Sequence, residues 1–147
     1  MHSDVLRAIN IQINSEFTAW YQYLAMSAFC DREKFTGAAK WLKAQSVEEY
    51  QHGMKLFAFV LARNGNVELT TIQQPEREFE SFGEVFESAL RQEQMVTEQI
   101  NSLYELAFSE KVFAAMAALQ WFITEQVEEE KAVREIVAKF HMVKHDS

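Results

Sequence analysis

The sequence has 147 residues, of which 48% are hydrophobic, with only four glycines and one proline. This length can bury a sizeable core within a single domain over residues 1–147, and the composition favours helix. With 14 basic against 22 acidic residues the net charge is -8, which argues against a nucleic-acid partner and makes cations the more plausible ones.

Four segments repeat apolar residues at alternating steps of three and four, the spacing of the buried seam of a helix. The first is predicted to run from about Asp4, a candidate N-cap, to Asp31. The second starts near Thr36 and stops at Asn64-Gly65, where the glycine is expected to take the left-handed conformation that closes a helix. The two seams comprise Leu6, Ile9, Ile13, Glu16, Trp20, Tyr23, Ser27 and Cys30, then Ala38, Leu42, Gln45, Glu49, His52, Leu56 and Phe59.

The third and fourth segments show the same periodicity. Ser81 and Glu84 have the spacing of a capping box, which predicts the start of the third helix. A short break near Ser109-Glu110 separates it from the fourth. Their seams comprise Phe82, Phe86, Ala89, Glu93, Val96, Ile100, Leu103 and Ala107, then Val112, Ala115, Leu119, Phe122, Gln126, Glu129, Val133, Ile136 and Phe140.

The connection between the second and third helices is long. The periodicity lapses from Asn64 to Glu80, and this stretch holds the only proline, Pro75. About 16 residues can travel the length of a bundle, which a tight turn cannot. The pattern of short, long and short connections predicts an all-α fold, an antiparallel four-helix bundle of two hairpins joined by one crossover, with helices one and three running parallel.

Six of the polar residues on the four seams lie at a similar depth. Counted from the hairpin turns at 1.5 Å per residue, all six lie roughly 20 to 27 Å along their helices, so they meet at mid-bundle. They are Glu16, Glu49, His52, Glu93, Gln126 and Glu129. Four ionised, unpaired carboxylates there would repel one another and would each cost several kcal/mol of desolvation, whereas two divalent cations would balance their charge.

The residue types indicate which cation would bind. A lone glutamate on an apolar seam more often sets register or snorkels to water, but these seams hold no lysine or arginine that could satisfy six polar residues together. The lack of thiolates argues against structural zinc, and mixed carboxylate and imidazole ligands suit iron or manganese. So few protein ligands would leave positions open for a small oxidant.

A single cysteine, Cys30, excludes an internal disulfide framework and suits a reducing compartment. No apolar run approaches the roughly 20 residues of a membrane span. The first residues, Met1 to Asp4, lack the basic and apolar regions of a secretory signal. We therefore expect a cytoplasmic protein without a membrane partner.

These residues resemble those of bacterial non-haem ferritin subunits over nearly the whole sequence. The resemblance rests on Glu16, Glu49-x-x-His52, Glu93 and Gln126-x-x-Glu129, the last within Thr124 to Glu130. Haem-containing bacterioferritins carry a second Glu-x-x-His in helix four and a haem-ligating methionine after the glutamate of the helix-two motif. This sequence has Tyr50 at that position, so haem is not expected.

The resemblance implies a ferritin-like topology and a function. The protein would be an iron-storage ferroxidase that oxidises Fe²⁺ with dioxygen or peroxide and stores ferric mineral in a cage of twenty-four subunits. It implies one iron on Glu16, Glu49 and His52, a second on Glu49, Glu93 and Glu129, and Gln126 close by.

The resemblance also implies a third iron site, whose matching positions are Glu48, Glu125, Glu128 and Glu129. From spacing alone a solvated acidic face is preferred, because the first three lie off the seams. Tyr23, two turns after Glu16, matches a tyrosine that supplies an electron or hydrogen-bonds a ligand, or it is a core residue whose hydroxyl finds a carboxylate. Trp121 matches a family position near the site, and plain packing is at least as good a reading.

The sequence departs from the family at its end, because the family usually adds a fifth helix that lines pores of the cage, whereas this sequence ends at Ser147. This departure leaves undecided whether the cage closes. Aromatic residues off the seams still predict a subunit that buries outer surface against copies of itself. They include Trp41, Phe57, Phe79 and Phe113.

Two other functions stay open. One is a di-iron oxidase, oxygenase or peroxide reductase without a storage role, although the sequence has no Cys-x-x-Cys electron-transfer module and no evident substrate-binding insert. The other is a four-helix interaction module that binds no metal. Uptake and oxidation of Fe²⁺ would separate the three.

Overall fold

In the computed structural model, residues 1–146 are described, and side chains are described as far as Val143. The helices are α1 (Ser3–Arg32), α2 (Thr36–Ala62), α3 (Phe82–Ser109) and α4 (Phe113–Asp146), and this part of the chain contains no strand. The predicted all-α fold is confirmed, and the helix ends lie within a few residues of those predicted.

The first three helices close on a residue with left-handed backbone. The φ angles are 70° at Lys34, 59° at Asn64 and 57° at Lys111. In each case the next N–H reaches back five residues, as from Gly65 to the carbonyl oxygen of Val60 at 2.9 Å, which satisfies an otherwise free helix-end carbonyl. The expectation that Gly65 is the left-handed residue is wrong, because Asn64, one residue earlier, takes that conformation, which asparagine tolerates well.

The helix starts differ in part from the sequence patterns. Asp4 is not the N-cap of α1 but lies in its first turn, where its N–H donates to Nδ1 of the capping residue His2 at 3.2 Å. Ser81 caps α3 as predicted, with its Oγ accepting from the Glu84 N–H at 3.1 Å. The Glu84 carboxylate accepts from the Ser88 hydroxyl instead of completing the capping box.

Two apolar clusters fill the two ends of the bundle. The first cluster contains Val5, Ile9, Ile13, Leu56, Val60, Val96, Ile100, Leu103, Ala107, Ala115, Leu119 and Phe122. The second cluster contains Tyr23, Met26, Phe29, Cys30, Ala39, Leu42, Val85, Phe86, Ala89 and Val133. The starts of α1 and α4 and the ends of α2 and α3 therefore share one end of the bundle.

The helix directions follow from these clusters. α1 and α4 run one way, and α2 and α3 run the other. The expectation that helices one and three run parallel is wrong. A crossover that spans the bundle returns the chain to the end where α2 began, so α3 repeats the direction of α2 and runs antiparallel to α1.

The crossover, residues 63–81, lies along α1 and is tied to it at both ends. Near its start, the Asn10 side-chain amide donates to the Asn66 carbonyl at 3.0 Å, and its Oδ1 accepts the Glu68 N–H at 2.8 Å. Near its end, the Arg32 guanidinium donates to both carboxylate oxygens of Glu78, at 2.9 and 2.8 Å. The predicted path along the bundle is confirmed.

The off-seam aromatic residues are less exposed than the sequence suggested. Trp41 packs on Phe86 with ring centroids 5.9 Å apart, and Phe79 packs on Phe29 at 5.2 Å. Of the four, only Phe113 stays open, with 70% of its surface exposed. No helix within the described part of the chain is both long and apolar enough to cross a membrane.

Replacing Asn10 by alanine should loosen the crossover. The substitution leaves the Glu68 N–H and the Asn66 carbonyl without their partner, so we expect the free energy of unfolding to fall by about 1–3 kcal/mol. Chemical denaturation measures the loss, and limited proteolysis locates it in residues 63–81. Asn101→Ala, at an exposed position of α3, is the control. Equal stability of the two variants would contradict the role given to Asn10.

Candidate metal centre

A polar layer separates the two apolar clusters, and all four helices contribute to it. Along α1, for example, Glu16 lies between Ile13 of the first cluster and Tyr23 of the second. The six predicted residues of the layer are all buried. Their exposed fractions are 0% for Glu16, Glu49 and Glu93, 3% for Gln126, 4% for His52 and 5% for Glu129.

The first group of potential ligands joins α1 to α2. Glu16, Glu49 and His52 each offer one donor atom, and these three atoms lie within 4.8 Å of one another. His52 Nδ1 is 3.2 Å from Glu49 Oε2 and 3.9 Å from Glu16 Oε2. The spacing of three in the helix-two motif puts Glu49 and His52 on one face, one turn apart. A single cation could therefore contact all three side chains.

The second group joins α2, α3 and α4. Donor atoms of Glu49, Glu93 and Glu129 also lie within 4.8 Å of one another. Glu49 belongs to both groups, and its two oxygens face different ways. Oε2 faces His52, while Oε1 accepts from the side-chain amide of Gln45 at 3.3 Å. This carboxylate is thus placed to bridge two cations.

Gln126 lies beside the second group with its amide already oriented. Its Nε2 donates to the backbone carbonyl of Glu93 at 3.2 Å and to the Thr97 hydroxyl oxygen at 3.1 Å. The Thr97 hydroxyl lies 2.5 Å from a carboxylate oxygen of Glu130. Because both amide hydrogens have acceptors, the amide oxygen is the atom of Gln126 that stays available to a ligand.

Burial dominates the electrostatics of the layer. It raises the pKa of Glu16 and of Glu93 well above the usual range, and the charge of Glu49 raises both further. Burial also raises the pKa of Glu49 to about 8 and that of Glu129 to about 10, with the charges of neighbouring carboxylates adding to the effect. The pKa of His52 is lowered, mainly by burial. Protonated carboxyls and a neutral imidazole are the favoured forms at neutral pH when no cation is bound.

Several buried oxygens of the layer have no hydrogen-bond partner among the described residues. They are Glu16 Oε2, both carboxylate oxygens of Glu93 and the Tyr23 hydroxyl. A buried polar atom without a partner typically costs about 1–3 kcal/mol. An oxygen-rich donor set with one imidazole fits Fe²⁺ or Mn²⁺, and such cations would satisfy the carboxylate oxygens and neutralise their charge.

The proposed third site is only partly assembled. His52, Glu125 and Glu129 form a third group with donor atoms within 4.8 Å, and Glu125 is half-buried. Glu48 and Glu128 are exposed and join no such group of three within the described residues. The Glu48 carboxyl does lie close enough to Glu129 to raise its pKa. The structure thus brings Glu125 to the edge of the centre and leaves Glu128 outside it.

Tyr23 and Trp121 border the layer in different ways. Tyr23 is fully buried, and burial raises the pKa of its hydroxyl well above the usual range, with the charges of Glu93 and Glu49 adding to the effect. Trp121 lies edge-on to the His52 ring with centroids 5.3 Å apart, and the Lys55 ammonium sits 3.9 Å above the indole. Trp121 therefore packs against a candidate ligand, while its surface is 39% exposed.

Sequence reasoning gave no role to two glutamines that hold the carboxylates. Gln12 Nε2 donates to Glu16 Oε1 at 3.2 Å, and Gln45 donates to Glu49 and to Glu129. Each glutamine precedes a carboxylate of its own helix by four residues, a spacing at which side chains meet. That spacing was visible in the sequence and could have identified both residues.

The two hairpins supply corresponding candidate ligands. Glu93 follows Glu16 by the same number of residues as Gln126 follows Glu49 and as Glu129 follows His52. The second hairpin thus repeats the first with an amide in place of a carboxylate and a carboxylate in place of the imidazole. The level of each ligand in the bundle follows from this equal spacing.

Comparison with known proteins gives a consistent result. A family model described as a ferritin-like domain matches residues 6–143. A probable bacterial non-heme ferritin-like protein of Haemophilus influenzae is 36% identical over 99% of this chain and 88% of its own length. A bacterial non-heme ferritin of Staphylococcus epidermidis is 40% identical over 88% of this chain and 78% of its own length. An open pore ferritin from Archaeoglobus fulgidus superposes with a TM-score of 0.96 at 38% identity, over 97% of this chain and 88% of that one.

The pKa shifts predict a pH dependence of stability in the metal-free protein. A carboxyl with a raised pKa stabilises the fold below its ordinary value of 4.5, and this contribution is lost as the pH rises through about 8 for Glu49 and about 10 for Glu129. The pKa of His52 is lowered from its ordinary value of 6.5, so this residue has the opposite effect and destabilises the fold as the pH falls below that value. Four carboxyls outweigh one imidazole, so we expect the melting temperature of the metal-free protein to fall between about pH 5 and about pH 9.

The matched variant is Glu93→Gln, which removes one of the buried acids while keeping its shape. Its melting temperature should depend less on pH than that of the natural sequence, because one fewer carboxyl must lose a proton in the core. Thermal melts in the presence of a chelator measure both proteins. Identical pH slopes would contradict the assignment of Glu93 to the buried layer.

Proposed function

The chain belongs to the ferritin-like family, and we propose that it oxidises Fe²⁺ at the buried carboxylate and histidine centre and stores the ferric product inside an oligomeric protein shell. One observation carries this proposal: two groups of ligands share Glu49 in the middle of the bundle, in an otherwise apolar interior. That arrangement supports the binding of two Fe²⁺ ions as substrates side by side.

Each residue of the centre has a proposed role. One Fe²⁺ would be held by Glu16, Glu49 and His52, and the other by Glu49, Glu93 and Glu129. The amide oxygen of Gln126 is a further candidate ligand, since both its N–H bonds are directed elsewhere. Glu125, and less directly Glu48 and Glu128, would form a third, outlying position near His52 and Glu129.

The proposed oxidation of Fe²⁺ by dioxygen or hydrogen peroxide balances in electrons and protons. Two Fe²⁺ ions that become Fe³⁺ release two electrons, which with two protons reduce one dioxygen to hydrogen peroxide or one hydrogen peroxide to two waters. Cation binding also releases protons, because carboxyls with raised pKa values must ionise to become ligands. The acidic side chains at the edge of the centre can attract Fe²⁺ and accept those protons.

We also propose a homo-oligomer, and for the shell a cage of twenty-four subunits. Exposed apolar side chains support it, among them Ile11 at 62%, Phe108 at 64% and Phe113 at 70%. The relatives named above are called non-heme ferritins, which supports a haem-free centre here. We place the protein in the cytoplasm, in keeping with the buried free thiol of Cys30.

Titration of the metal-free protein with Fe²⁺ in air tests the function. We expect rapid oxidation of two ions per chain, followed by continued uptake of iron by the oligomer. Rapid oxidation that stops at the stoichiometric amount would favour an oxidase without a storage role. No uptake at all would contradict both functions.

His52→Ala and Glu93→Ala should slow the rapid phase by about 10-fold or more, because each removes a ligand of one cation. Both variants should stay folded, since the loss of a buried ionisable group spares the metal-free bundle a desolvation cost. Stopped-flow absorbance measures the rate. Glu98→Ala, at an exposed position of α3, is the control. Rates equal to the control in both variants would remove the assignment.

Tyr23→Phe should change the oxidation rate without preventing metal binding. The hydroxyl has no hydrogen-bond partner among the described residues, and its proposed role is to donate a hydrogen bond or an electron. Freeze-quench paramagnetic resonance would report loss of a tyrosyl signal, and calorimetry would report binding. Loss of Fe²⁺ binding would show that the proposed role is wrong.

A further inference from the structure

Gln45 connects two helices through the carboxylates of the centre. It lies on α2 with 7% of its surface exposed. Its Nε2 donates to Glu49 Oε1 at 3.3 Å and also to Glu129 Oε2 on α4. Over the described residues, the backbones of α2 and α4 come less close than those of the neighbouring pairs α1 with α2, α3 with α4 and α1 with α3. The Gln45 amide is thus a link across the most open side of the bundle.

Glu129 stands between two alternative sets of partners. It forms one group with Glu49 and Glu93 inside the layer, and another with His52 and Glu125 at its edge. In its observed conformation Glu129 belongs to both groups, so a rotation of its carboxylate would favour one set of partners over the other. Within the described residues, the Gln45 side chain hydrogen-bonds to Glu129 itself and to Glu49 of the inner set. It makes no hydrogen bond to His52 or Glu125, the two partners at the edge.

We propose that Gln45 is a positioning residue that holds Glu129 and the bridging Glu49 in the arrangement of the inner metal position, and so opposes a rotation of the Glu129 carboxylate further toward His52 and Glu125. An amide suits this role because it donates two hydrogen bonds without adding charge. The proposal rests on the proposed function for the identity of the natural cation, while its test uses cation binding itself.

The two cation positions should respond differently to loss of Gln45. The position formed by Glu49, Glu93 and Glu129 should weaken by about 10- to 100-fold, the usual effect of removing a residue that orients metal ligands. The position formed by Glu16, Glu49 and His52 should change much less. Gln45 bonds Glu49 Oε1, whereas Oε2 is the oxygen that faces His52.

The experiment titrates the metal-free, full-length protein with Co²⁺ under anaerobic conditions. Calorimetry measures the two stepwise affinities, and the visible absorption of Co²⁺ reports the coordination of each ion. Gln45→Met keeps the length of the side chain without a donor. Gln45→Asn keeps a donor that is too short to reach both carboxylates. Gln92→Met is the control, since Gln92 is equally buried but makes no side-chain hydrogen bond within the described residues.

We expect both Gln45 variants to lose affinity for one Co²⁺ and to keep the other, with an altered absorption spectrum for the weakened ion. Gln92→Met should bind both ions as the natural sequence does. A second-site affinity that is unchanged in both Gln45 variants would overturn the proposal. So would an equal loss at both positions, which would indicate a general packing defect.

A double variant separates positioning from packing. If Glu129 turns toward His52 and Glu125 when Gln45 is absent, then Glu125→Gln should restore part of the lost affinity in the Gln45→Met background. A packing change caused by the methionine would not respond to Glu125, so no recovery would overturn the proposal. Natural protein that binds two Co²⁺ but fails to oxidise Fe²⁺ would contradict the proposed function alone, since the Co²⁺ affinities decide the role of Gln45.

Discussion

The structure depends on keeping four carboxylates inside a helical bundle. Ionised and without cations, they would lose hydration and repel one another, and both effects raise the pKa of Glu49 to about 8 and that of Glu129 to about 10. Both oxygens of Glu93 lack a hydrogen-bond partner among the described residues. Protonation removes the charge but leaves these oxygens without partners. Two divalent cations would both neutralise the charge and coordinate the oxygens.

The fold provides a rigid frame for this layer. Two apolar clusters lie above and below it, and each helix contributes to both the clusters and the layer. The crossover returns the chain so that α3 runs parallel to α2, which brings the candidate ligands of the second hairpin to the level of those of the first. Three buried amides contact this layer without adding charge: Gln12 donates to Glu16, Gln45 donates to Glu49 and Glu129, and Gln126 donates to the backbone carbonyl of Glu93.

The sequence predicts the helices and the six layer residues, because burial repeats with the helical period and depth can be counted along each helix. Other features depend on geometry that counting does not contain. The relative direction of α1 and α3 follows from the path of the crossover, and Asn64 rather than Gly65 takes the left-handed turn. Glu125 and Glu128 both lie next to the apolar seam in the sequence, but they point in different directions around the axis of α4. Only Glu125 joins a group of candidate ligands.

Anomalous diffraction at the iron edge, from crystals soaked with Fe²⁺ without oxygen, tests the central claim most directly. Two peaks are expected per chain, one among Glu16, Glu49 and His52 and one among Glu49, Glu93 and Glu129, with Glu49 touching both. A bundle interior without iron, with these glutamates turned outward or bound only to ordered water, would contradict the account.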